Sequence, residues 1–429
     1  MNGRVALIAL VSAAPLLAET PITPTNADWK ADAPGVRHKF TVEDLAAPYA
    51  SDSASNSPRE VRPPAGAQPK VPAGFKIEQY ASGFSYSRYL LTSPNGDIFV
   101  TESRENSIKV LRDKNGDGNP DLTETFVASG MNKPFGMAFY PPGSDPQFLY
   151  VANTDGVIRF PYRNGDTKAR GPGEKLTAEL SGGGLLRGGG HWTRDIAFSP
   201  DGKKMYVSIG SRSNVSDDAA EANRARIFEF NPDGTGQNVF AWGIRNAVGI
   251  KIRPGTNELW MSTNERDELG EDLVPDYISR VEQGGFYGWP WFYIGNHQDP
   301  RHKGKHPELA SKAIVPDVLV QSHSATLNLC FYDGTQFPSQ YKGDIFAAFH
   351  GSWNRAKRTG YKIVRVPFDK ATGKPRGDYE DFVTGFVTPE GNVWGRPVGI
   401  TVARDGSLLF SEDANDTIWR VSYVAAELR

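Results

Sequence analysis

The segments Ala197-Phe198-Ser199-Pro200-Asp201-Gly202 and Met205-Tyr206-Val207 carry the pattern that decides the fold. Two apolar strands flank a turn containing Asp-Gly. That pair favours a tight hairpin, because both central positions of such a turn need positive φ. The same strand-turn-strand unit recurs at 91–100, 138–151, 252–261, 341–346 and 402–410.

The six hairpins predict an all-β fold, a six-bladed β-propeller with an extended N-terminal arm. Radial repetition removes free sheet edges, which explains why one unit is used again and again. A β-sandwich, the alternative, does not need that unit six times over some 350 residues. The uneven spacing of the hairpins indicates inserts, above all Trp291–Ser324. Helical patterns are weak, so 217–225 and 269–282 are expected to form single turns at most.

The chain divides into three parts. Residues 1–18 read as a secretory signal, with Arg4 at the positive end and an apolar run after it. An uncleaved membrane anchor is the alternative, although the run is short for a membrane span. Residues 19–71 lack periodicity and are rich in Ala, Ser and Pro, as in a tether or wrapping arm. Residues 72–429 form the propeller, which we expect to be the catalytic domain.

Composition narrows the choice of partners and compartment. The 48 Lys and Arg residues nearly balance the 50 Asp and Glu residues. This argues against nucleic acid, whose binding needs a net basic face. Cys330 is the only cysteine, so no intrachain disulfide can form. A secretory signal without disulfides predicts a periplasmic or secreted protein. We expect no membrane span once the signal is removed.

A histidine after a run of glycines is the strongest functional signal. It lies in Gly188-Gly189-Gly190-His191-Trp192-Thr193-Arg194, directly before the third hairpin unit. Glycines let the backbone run close to a bound ligand. A neutral imidazole is the natural base for a hydroxyl proton near neutral pH. We therefore predict His191 as a catalytic base with Arg194 beside it; a purely structural histidine is the alternative.

Three further motifs place cations near hairpin units. Arg245 and Asn246 could hold an anionic group or a developing oxyanion, although an interblade salt bridge is the alternative for Arg245. Two other motifs combine aromatic residues with cations and could sandwich a flat, multiply charged cofactor. Interblade cation–π packing is their alternative. The candidates in these two motifs are His350, Arg355, Trp394 and Arg396.

The segment Asp113–Glu124 fits a twelve-residue calcium loop. Oxygen ligands fall at positions 1, 3, 5, 9 and 12, with glycine at position 6, and they are Asp113, Asn115, Asp117, Asp121 and Glu124. The alternative is a polar hairpin loop whose side chains only cap turns.

Other motifs give weaker or negative signals. The acidic loop 264–272 could hold a cation or be a solvated loop. His297, His302 and His306 share no face, so we do not expect a metal site there. No nucleotide-binding glycine fingerprint, covalent haem motif or Gly-x-Ser-x-Gly elbow is present, which argues against NAD, ATP, covalent haem and an α/β-hydrolase triad.

From about 72 to 423, these motifs resemble the soluble pyrroloquinoline-quinone (PQQ) sugar dehydrogenases, closest to the L-sorbosone and aldose or pyranose dehydrogenase branch. The most specific pieces are Gly189-Gly190-His191, Gly243-Ile244-Arg245-Asn246, Asn264-Glu265-Arg266-Asp267, Tyr287-Gly288-Trp289-Pro290 and Gly395-Arg396-Pro397. The resemblance implies a six-bladed propeller that binds PQQ and Ca²⁺. It implies that His191 takes the substrate hydroxyl proton while hydride passes to the quinone, and that Arg245 steadies the quinone oxygen with Asn246 beside it.

The sequence departs from the glucose-dehydrogenase branch at several matching positions. Glu265 and Arg266 stand where carbonyls of a Gly-Pro pair hold calcium, so they become the expected metal ligands. His350 stands for a pocket lysine and Trp394 for an arginine, while Ser211 falls near an acidic residue that orients the base. These departures favour a sorbosone- or pyranose-type substrate over glucose.

The sequence therefore predicts a periplasmic PQQ-dependent oxidoreductase that oxidises an aldose or sugar aldehyde. An unidentified acceptor, such as a cytochrome or quinone, would take the electrons. Two other classes of function stay open. One is a propeller that binds a ligand or protein without catalysis. The other is a metal-dependent lactonase, which needs carboxylate and Asn ligands converging on the channel.

Overall fold

The computed structural model describes residues 27–177, 180 and 190–424. The predicted signal, 1–18, lies outside these residues, as do Gly188 and Gly189. In the described part, no helix is both long and apolar enough to span a bilayer.

Six antiparallel sheets form the six blades of a β-propeller, as the repeated hairpins predict. The first blade has strands Ser87–Thr92, Ile98–Glu102, Ser107–Arg112 and Leu122–Val127. The second has strands Met137–Tyr140, Phe148–Asn153, Gly156–Pro161 and Glu174–Lys175. The third has strands Ile196–Phe198, Met205–Ile209, Arg226–Phe230 and Asn238–Trp242.

The remaining blades follow the same plan. The fourth has strands Ala247–Ile252, Leu259–Thr263, Asp276–Arg280 and Val318–Val320. The fifth has strands Thr326–Phe331, Ile345–Phe349, Lys362–Val366 and Asp378–Val383, with Arg37–Lys39 added at its edge. The sixth has strands Pro397–Val402, Leu408–Glu412, Thr417–Tyr423 and Phe75–Ser82.

The sixth blade closes the ring with strands from both ends of the propeller sequence. Phe75–Ser82 pairs antiparallel with Thr417–Tyr423, and Phe75 lies opposite Tyr423. The second strand of each blade is buried along all or nearly all of its length, and Met205–Ile209 is buried throughout. Apolar residues such as Val, Ile and Phe fill these strands because neighbouring blades cover both of their faces.

Each repeated hairpin spans the first two strands of a blade, but its turn is not the tight one that we predicted. In the first blade, the Gly96 N–H donates to the Ser93 carbonyl at 2.9 Å, and Ser93 N–H donates to the Asp97 carbonyl at 2.8 Å. Only the glycine adopts positive φ, at 98° for Gly96 and 70° for Gly202. The preceding Asn or Asp keeps negative φ because a longer hairpin loop needs one left-handed residue, whereas the tight turn needs two.

The remaining regular elements are short. Single 3-10 turns lie at Val42–Asp44, Ala219–Glu221, Pro300–His302, Pro307–Lys312 and Ser339–Tyr341. The insert also carries a small hairpin of Phe292–Tyr293 and His297–Gln298. The predicted turn in 269–282 is replaced by strand Asp276–Arg280, because pairing in the fourth blade overrides a weak local pattern.

Antiparallel order divides the loops between two faces. Loops from the second to the third strand, and from one blade to the next, lie at one end, which we call the upper face. Loops from the first to the second strand, and from the third to the fourth, lie at the lower face. His191 precedes the first strand of its blade and so lies on the upper face. The Asp113–Glu124 loop joins a third to a fourth strand and lies on the lower face.

The described part of the arm is bound to the propeller. Arg37–Lys39 pairs with Asp378–Val383 as a fifth strand of the fifth blade. Further along, Glu60 forms a parallel bridge with Val393, and Lys70 an antiparallel bridge with Thr384. The arm therefore crosses the upper loops of the fifth and sixth blades before it enters the ring.

Candidate active site

A cavity of about 580 Å³ opens among the upper loops. The arm and the loops that precede the first strands of several blades form its walls. Its lining consists of Ser57, Pro58, Glu60, Tyr86, Arg88, Gly190, His191, Trp192, Thr193, Asn246, Val248, Leu327, His350, Trp353 and Arg396. Four of the residues predicted from sequence therefore meet here: His191, Asn246, His350 and Arg396.

His191 has a fixed orientation. Its Nδ1 lies 2.9 Å from the Ser211 carbonyl oxygen and 3.0 Å from the Ser211 hydroxyl. A carbonyl oxygen only accepts, so we assign the proton of the neutral ring to Nδ1. Nε2 is then the nitrogen with a free lone pair. Ser211 thus orients the imidazole at the position where the sequence comparison placed an orienting residue.

The His191 imidazole is held neutral. Burial lowers its pKa to about 3, and the positive charge of Arg245 adds to this effect. The carboxylate of Asp267 acts in the opposite direction. His191 is therefore unprotonated at neutral pH, which is the form that can accept a proton.

Arg245 is close enough to influence His191, but it is not part of the cavity lining. Its guanidinium donates to the Asn214 carbonyl, the Asn214 side chain, the Glu265 carbonyl and Asp267 Oδ2, at 2.6–3.2 Å. The prediction that Arg245 touches a developing oxyanion is thus not supported. Four of its five N–H donors are already used, and its effect on His191 is electrostatic.

Asn246 lies beside His191 because a glycine separates them. A Cβ at Gly210 would lie 2.2 Å from Asn246 Oδ1 and 2.7 Å from His191 Cβ. Any larger residue would therefore push the two side chains apart. Asn246 Oδ1 is buried and has no hydrogen-bond partner among the described residues. An acceptor in this state next to a cavity is available to a bound ligand.

A network of charges forms the opposite wall. His350 Nε2 lies 2.9 Å from Asp413 Oδ1, and its Nδ1 accepts from Arg396 Nη2 at 3.0 Å. Arg88 forms a short ion pair with the same Asp413. Burial, then the Arg396 charge, lowers the pKa of His350 to about 4. The interaction with His350, which includes a hydrogen bond, and the positive charge of Arg88 hold the pKa of Asp413 well below its usual range despite its burial. The wall therefore combines a neutral imidazole and two arginines with one buried carboxylate.

Both arginines in this wall keep a buried nitrogen without a partner in the described structure. The atoms are Arg88 Nε and Arg396 Nε. Arg88 also lies over the Tyr86 ring at 5.0 Å and the Trp192 ring at 5.6 Å. Unsatisfied buried donors are rare because they lose the hydrogen bonds that water supplies. They mark this wall as a place where an acceptor group would bind.

Three predicted cofactor contacts lie elsewhere. Arg194 is fully buried and donates to the carbonyls of His191 and Thr193, so it shapes the loop instead of lining the cavity. Arg355 donates to the Glu271 carbonyl and to Asp272. Trp394 packs against Phe386 in the apolar core. The structure does not bring these three residues to the cavity lining, because proximity to a hairpin unit does not determine the side of the loop from which a side chain leaves.

The two predicted metal ligands of the upper face also belong to another network. The Glu265 carbonyl accepts from Arg245 at 2.6 Å, so it faces a guanidinium. The Glu265 carboxylate pairs with Arg266, and Arg266 pairs with Asp299; both arginine contacts are fully buried. This arrangement does not provide a calcium site at Glu265, because its carbonyl and its carboxylate Oε2 face arginines and only its Oε1 is left without a partner among the described residues.

The lower-face loop matches the turn-capping alternative. Asp113 accepts from the N–H groups of Gly116 and Gly118, both at 2.7 Å. The remaining side chains, Asn115, Asp117 and Asp121, also accept from backbone N–H groups of the loop. Glu124, the expected twelfth ligand, instead accepts from the Thr167 hydroxyl at 3.1 Å. A calcium loop needs that glutamate as its closing ligand, so the predicted ligand set is not assembled.

The sequence did not single out several residues that line the cavity. Arg88 is the second residue of the first strand of its blade, and Arg396 directly precedes the first strand of its own blade; this similar position was the available signal. Trp353 lies between His350 and Arg355, which were the residues predicted from this motif. Ser57, Pro58 and Glu60 belong to the arm, where no periodicity gives a position.

The architecture and the cavity can be compared with known proteins. A family model described as TrAA12-like matches residues 69–278 and 293–424. The chain belongs to the TrAA12-like family. This match covers the propeller and leaves the arm before residue 69 outside it.

Relatives of this TrAA12-like chain support the same assignment. A protein of Borreliella burgdorferi described as uncharacterized is 28% identical over 361 residues, 82% of this chain and 90% of that protein. A pyrroloquinoline quinone-dependent pyranose dehydrogenase of Coprinopsis cinerea is 23% identical over 298 residues, 56% of this chain. The matched region spans only 40% of that fungal enzyme.

Solved structures confirm the fold. The holo form of the PQQ domain of the Coprinopsis cinerea pyranose dehydrogenase superposes with a TM-score of 0.68 at 19% identity, covering 86% of this chain and 100% of that one. The calcium structure of a Trichoderma reesei family AA12 protein gives a TM-score of 0.69 at 18% identity, covering 87% and 99%. At these identities, the likeness establishes the architecture alone.

Proposed function

We propose that this TrAA12-like protein is a PQQ-dependent oxidoreductase that oxidises an aldose or sugar aldehyde of the sorbosone or pyranose type. Family membership and the fungal pyranose dehydrogenase support the class of enzyme. The cavity geometry supports the site. The segment 1–18, which reads as a signal, supports export to the periplasm or the medium.

One observation carries the proposal: the cavity joins a neutral, oriented histidine to a wall of arginines with unsatisfied donors. PQQ is a flat aromatic quinone that bears carboxylates. Arg88 and Arg396 offer planar donors that suit carboxylates, and Asn246 adds an amide. Tyr86 and Trp192 offer aromatic surface for a flat ring system. The residues present therefore fit the cofactor.

When bound, PQQ supplies a quinone that can accept hydride. The protein supplies the base, since His191 Nε2 can take the proton of a substrate hydroxyl. Ser211 holds Nδ1–H and keeps the ring oriented during the transfer. Once protonated, the imidazolium is stabilised by the Asp267 carboxylate and opposed by Arg245. This balance favours release of the proton after each turnover.

Calcium is not assigned to any residue of this chain. Glu265 presents its carbonyl and its Oε2 to arginines, and the ligand set predicted at Asp113–Glu124 is not assembled. Within the described residues, the only group of three candidate ligand side chains is Asp32, His38 and Asp381. Lys362 Nζ lies 2.7 Å from both carboxylates of that group, so a cation is already present there.

Titration of the purified apo-protein with PQQ tests the proposal. We expect saturable binding by absorbance or calorimetry, followed by reduction of an artificial electron acceptor with a panel of aldoses and sugar aldehydes. The titration is run with calcium and with a chelator, which measures the contribution of the metal directly. Absence of saturable PQQ binding under both conditions would contradict the proposal and leave a non-catalytic binding propeller.

A further inference from the structure

A short segment of the arm forms part of the cavity wall, although the family match begins only at residue 69. The segment is Asn56–Val61, which we call the arm wall. Its residues Ser57, Pro58 and Glu60 line the cavity together with Trp353 of the fifth blade. This side of the cavity is therefore built by residues that the family pattern does not include.

The arm wall is fixed at both ends. Asn56 N–H donates to the Trp353 carbonyl at 2.6 Å. Arg358 donates to the Asn56 carbonyl at 2.7 Å and to its side-chain oxygen at 3.1 Å. At the other end, Val61 N–H donates to the Val393 carbonyl at 2.9 Å. A segment bonded in this way presents its side chains in a defined position.

Two chemically different groups meet at this wall. Trp353 is 45% exposed, which is unusual for an indole in this structure and leaves ring surface open at the cavity. The Glu60 carboxylate accepts from Arg396 Nη1 at 3.0 Å and also borders the cavity. The ion pair therefore keeps a charged acceptor in place in the cavity that the Trp353 ring also lines.

An aromatic face beside an oriented carboxylate suits a sugar ring. The C–H face of a pyranose is apolar and can cover an indole, while its ring hydroxyls point outward and donate. A carboxylate accepts such hydroxyls in charge-assisted hydrogen bonds. Mostly apolar and aromatic surface with a few placed polar groups is the usual composition of a small-molecule site.

We propose that Trp353 and Glu60 form the sugar-binding subsite of this cavity and select a substrate in its pyranose ring form. The inference rests on the proposed function, for which it names the substrate class. It assigns a specificity role to the arm: Glu60 binds a substrate hydroxyl, and Trp353 covers one face of the ring.

Two variants, Trp353→Ala and Glu60→Gln, test this subsite, with Tyr49→Ala and Glu43→Gln as controls. The controls remove another aromatic side chain and another carboxylate, both on the arm and outside the cavity lining. In the PQQ-loaded enzyme, we measure KM and kcat for a pyranose and for a small open-chain aldehyde. In the apo-protein, we measure pyranose binding by tryptophan fluorescence and calorimetry.

We expect each test variant to raise KM for the pyranose about tenfold, the effect of losing one charge-assisted hydrogen bond or a stacking surface. We expect kcat and KM for the open-chain aldehyde to change less than about twofold, because the reacting groups do not touch this wall. PQQ affinity should also change less than about twofold, because Gln at position 60 keeps an oxygen that can accept from Arg396 Nη1. The control variants should match the wild type.

The outcomes separate this inference from the proposed function. If PQQ binds and the sugar is oxidised, but both test variants keep the wild-type KM, the subsite is overturned and the enzyme stands. If PQQ does not bind, yet the apo-protein binds a pyranose and loses it in both test variants, the subsite stands and the proposed reaction falls. Loss of PQQ affinity in Glu60→Gln would overturn the assignment of Glu60 to substrate.

Discussion

Two cavities of comparable size lie on opposite faces of the propeller. They differ in how completely their charged and polar groups are paired. The upper one has about 580 Å³ and the lower one about 460 Å³. In the lower cavity, charged groups satisfy one another: Asp97 pairs with Arg112, and Arg420 pairs with Asp405 and Glu78. In the upper cavity, buried polar atoms of Arg88, Arg396 and Asn246 have no partner in the described structure.

The comparison shows that charge and volume alone do not identify a site. Both cavities are lined by acids and arginines, but only the upper one contains buried histidines and incompletely bonded donors. A buried polar group without a partner costs folding free energy. A sequence that keeps three such atoms around one cavity is therefore consistent with a ligand that completes their bonds.

Replacing the base should give the largest effect. We expect His191→Ala to lower kcat by about 10²- to 10⁴-fold, the usual contribution of general base catalysis. PQQ affinity should change little, because Arg88 and Arg396 remain in the cavity. Steady-state kinetics and a PQQ titration of the same variant separate the two quantities.

His306→Ala is the matched control, because His306 is exposed in the insert. Full activity in His191→Ala would show that His191 is not the catalytic base. Equal losses in both variants would show that histidine substitution acts through stability and not through the cavity.

Removing a donor from the upper wall should come next in size. We expect Arg396→Gln to weaken PQQ binding by about 10- to 100-fold, as for a lost hydrogen bond to a charged group. Arg404→Gln removes the same charge from the lower cavity and should leave PQQ affinity unchanged. Calorimetric titration measures both. A similar loss in both variants would mean that net charge, and not the wall, attracts the cofactor.

Four residues of the upper cavity were predicted from sequence, and the reasons for the failures are local. His191, Asn246, His350 and Arg396 each lie in a loop near a repeated hairpin, so fold and site followed from one pattern. Trp394 stands only two residues before Arg396, yet it points into the core. Gly395 between them packs against Phe386, where a Cβ would lie 2.2 Å from the ring. The spacing of residues in the sequence does not reveal this change in side-chain direction.

The arm wall could not be predicted at all. Asn56–Val61 has no periodic pattern, and its position depends on hydrogen bonds to Trp353, Arg358 and Val393, which are about 300 residues away in sequence. Long-range contacts of this kind are set by tertiary packing. Tertiary packing also determines the role of Arg245. Its sequence motif was recognised, but its hydrogen bonds to Asn214 and Asp267 could not be predicted from the motif.

The buried histidines of the upper cavity should make the protein sensitive to acid. Their pKa values, about 3 for His191 and about 4 for His350, lie below the ordinary value of 6.5. The unfolded chain therefore binds more protons than the native state between these values. The free energy of unfolding therefore rises with pH across that window. The stability that the two neutral histidines contribute is lost progressively as pH falls below 6.5.

His350→Gln removes one of these groups, so we expect the slope of unfolding free energy against pH between 6.5 and about 5 to fall by about 1.4 kcal/mol per pH unit. Urea unfolding at several pH values measures this slope. His306→Gln, at an exposed position, should leave it unchanged. An unaltered slope in His350→Gln would show that this imidazole titrates normally.

The smallest effect is expected in the lower-face loop. Asp113→Asn weakens two caps, to Gly116 N–H and Gly118 N–H, and should lower the free energy of unfolding by about 1 kcal/mol. The cost should be equal in calcium and in a chelator, because Glu124 contacts Thr167 and does not close a calcium loop. Denaturant unfolding under both conditions tests this. A larger cost in calcium would mean that the loop binds the ion. Both cavities would then bind a ligand, a cation in the lower one and an anionic cofactor in the upper one.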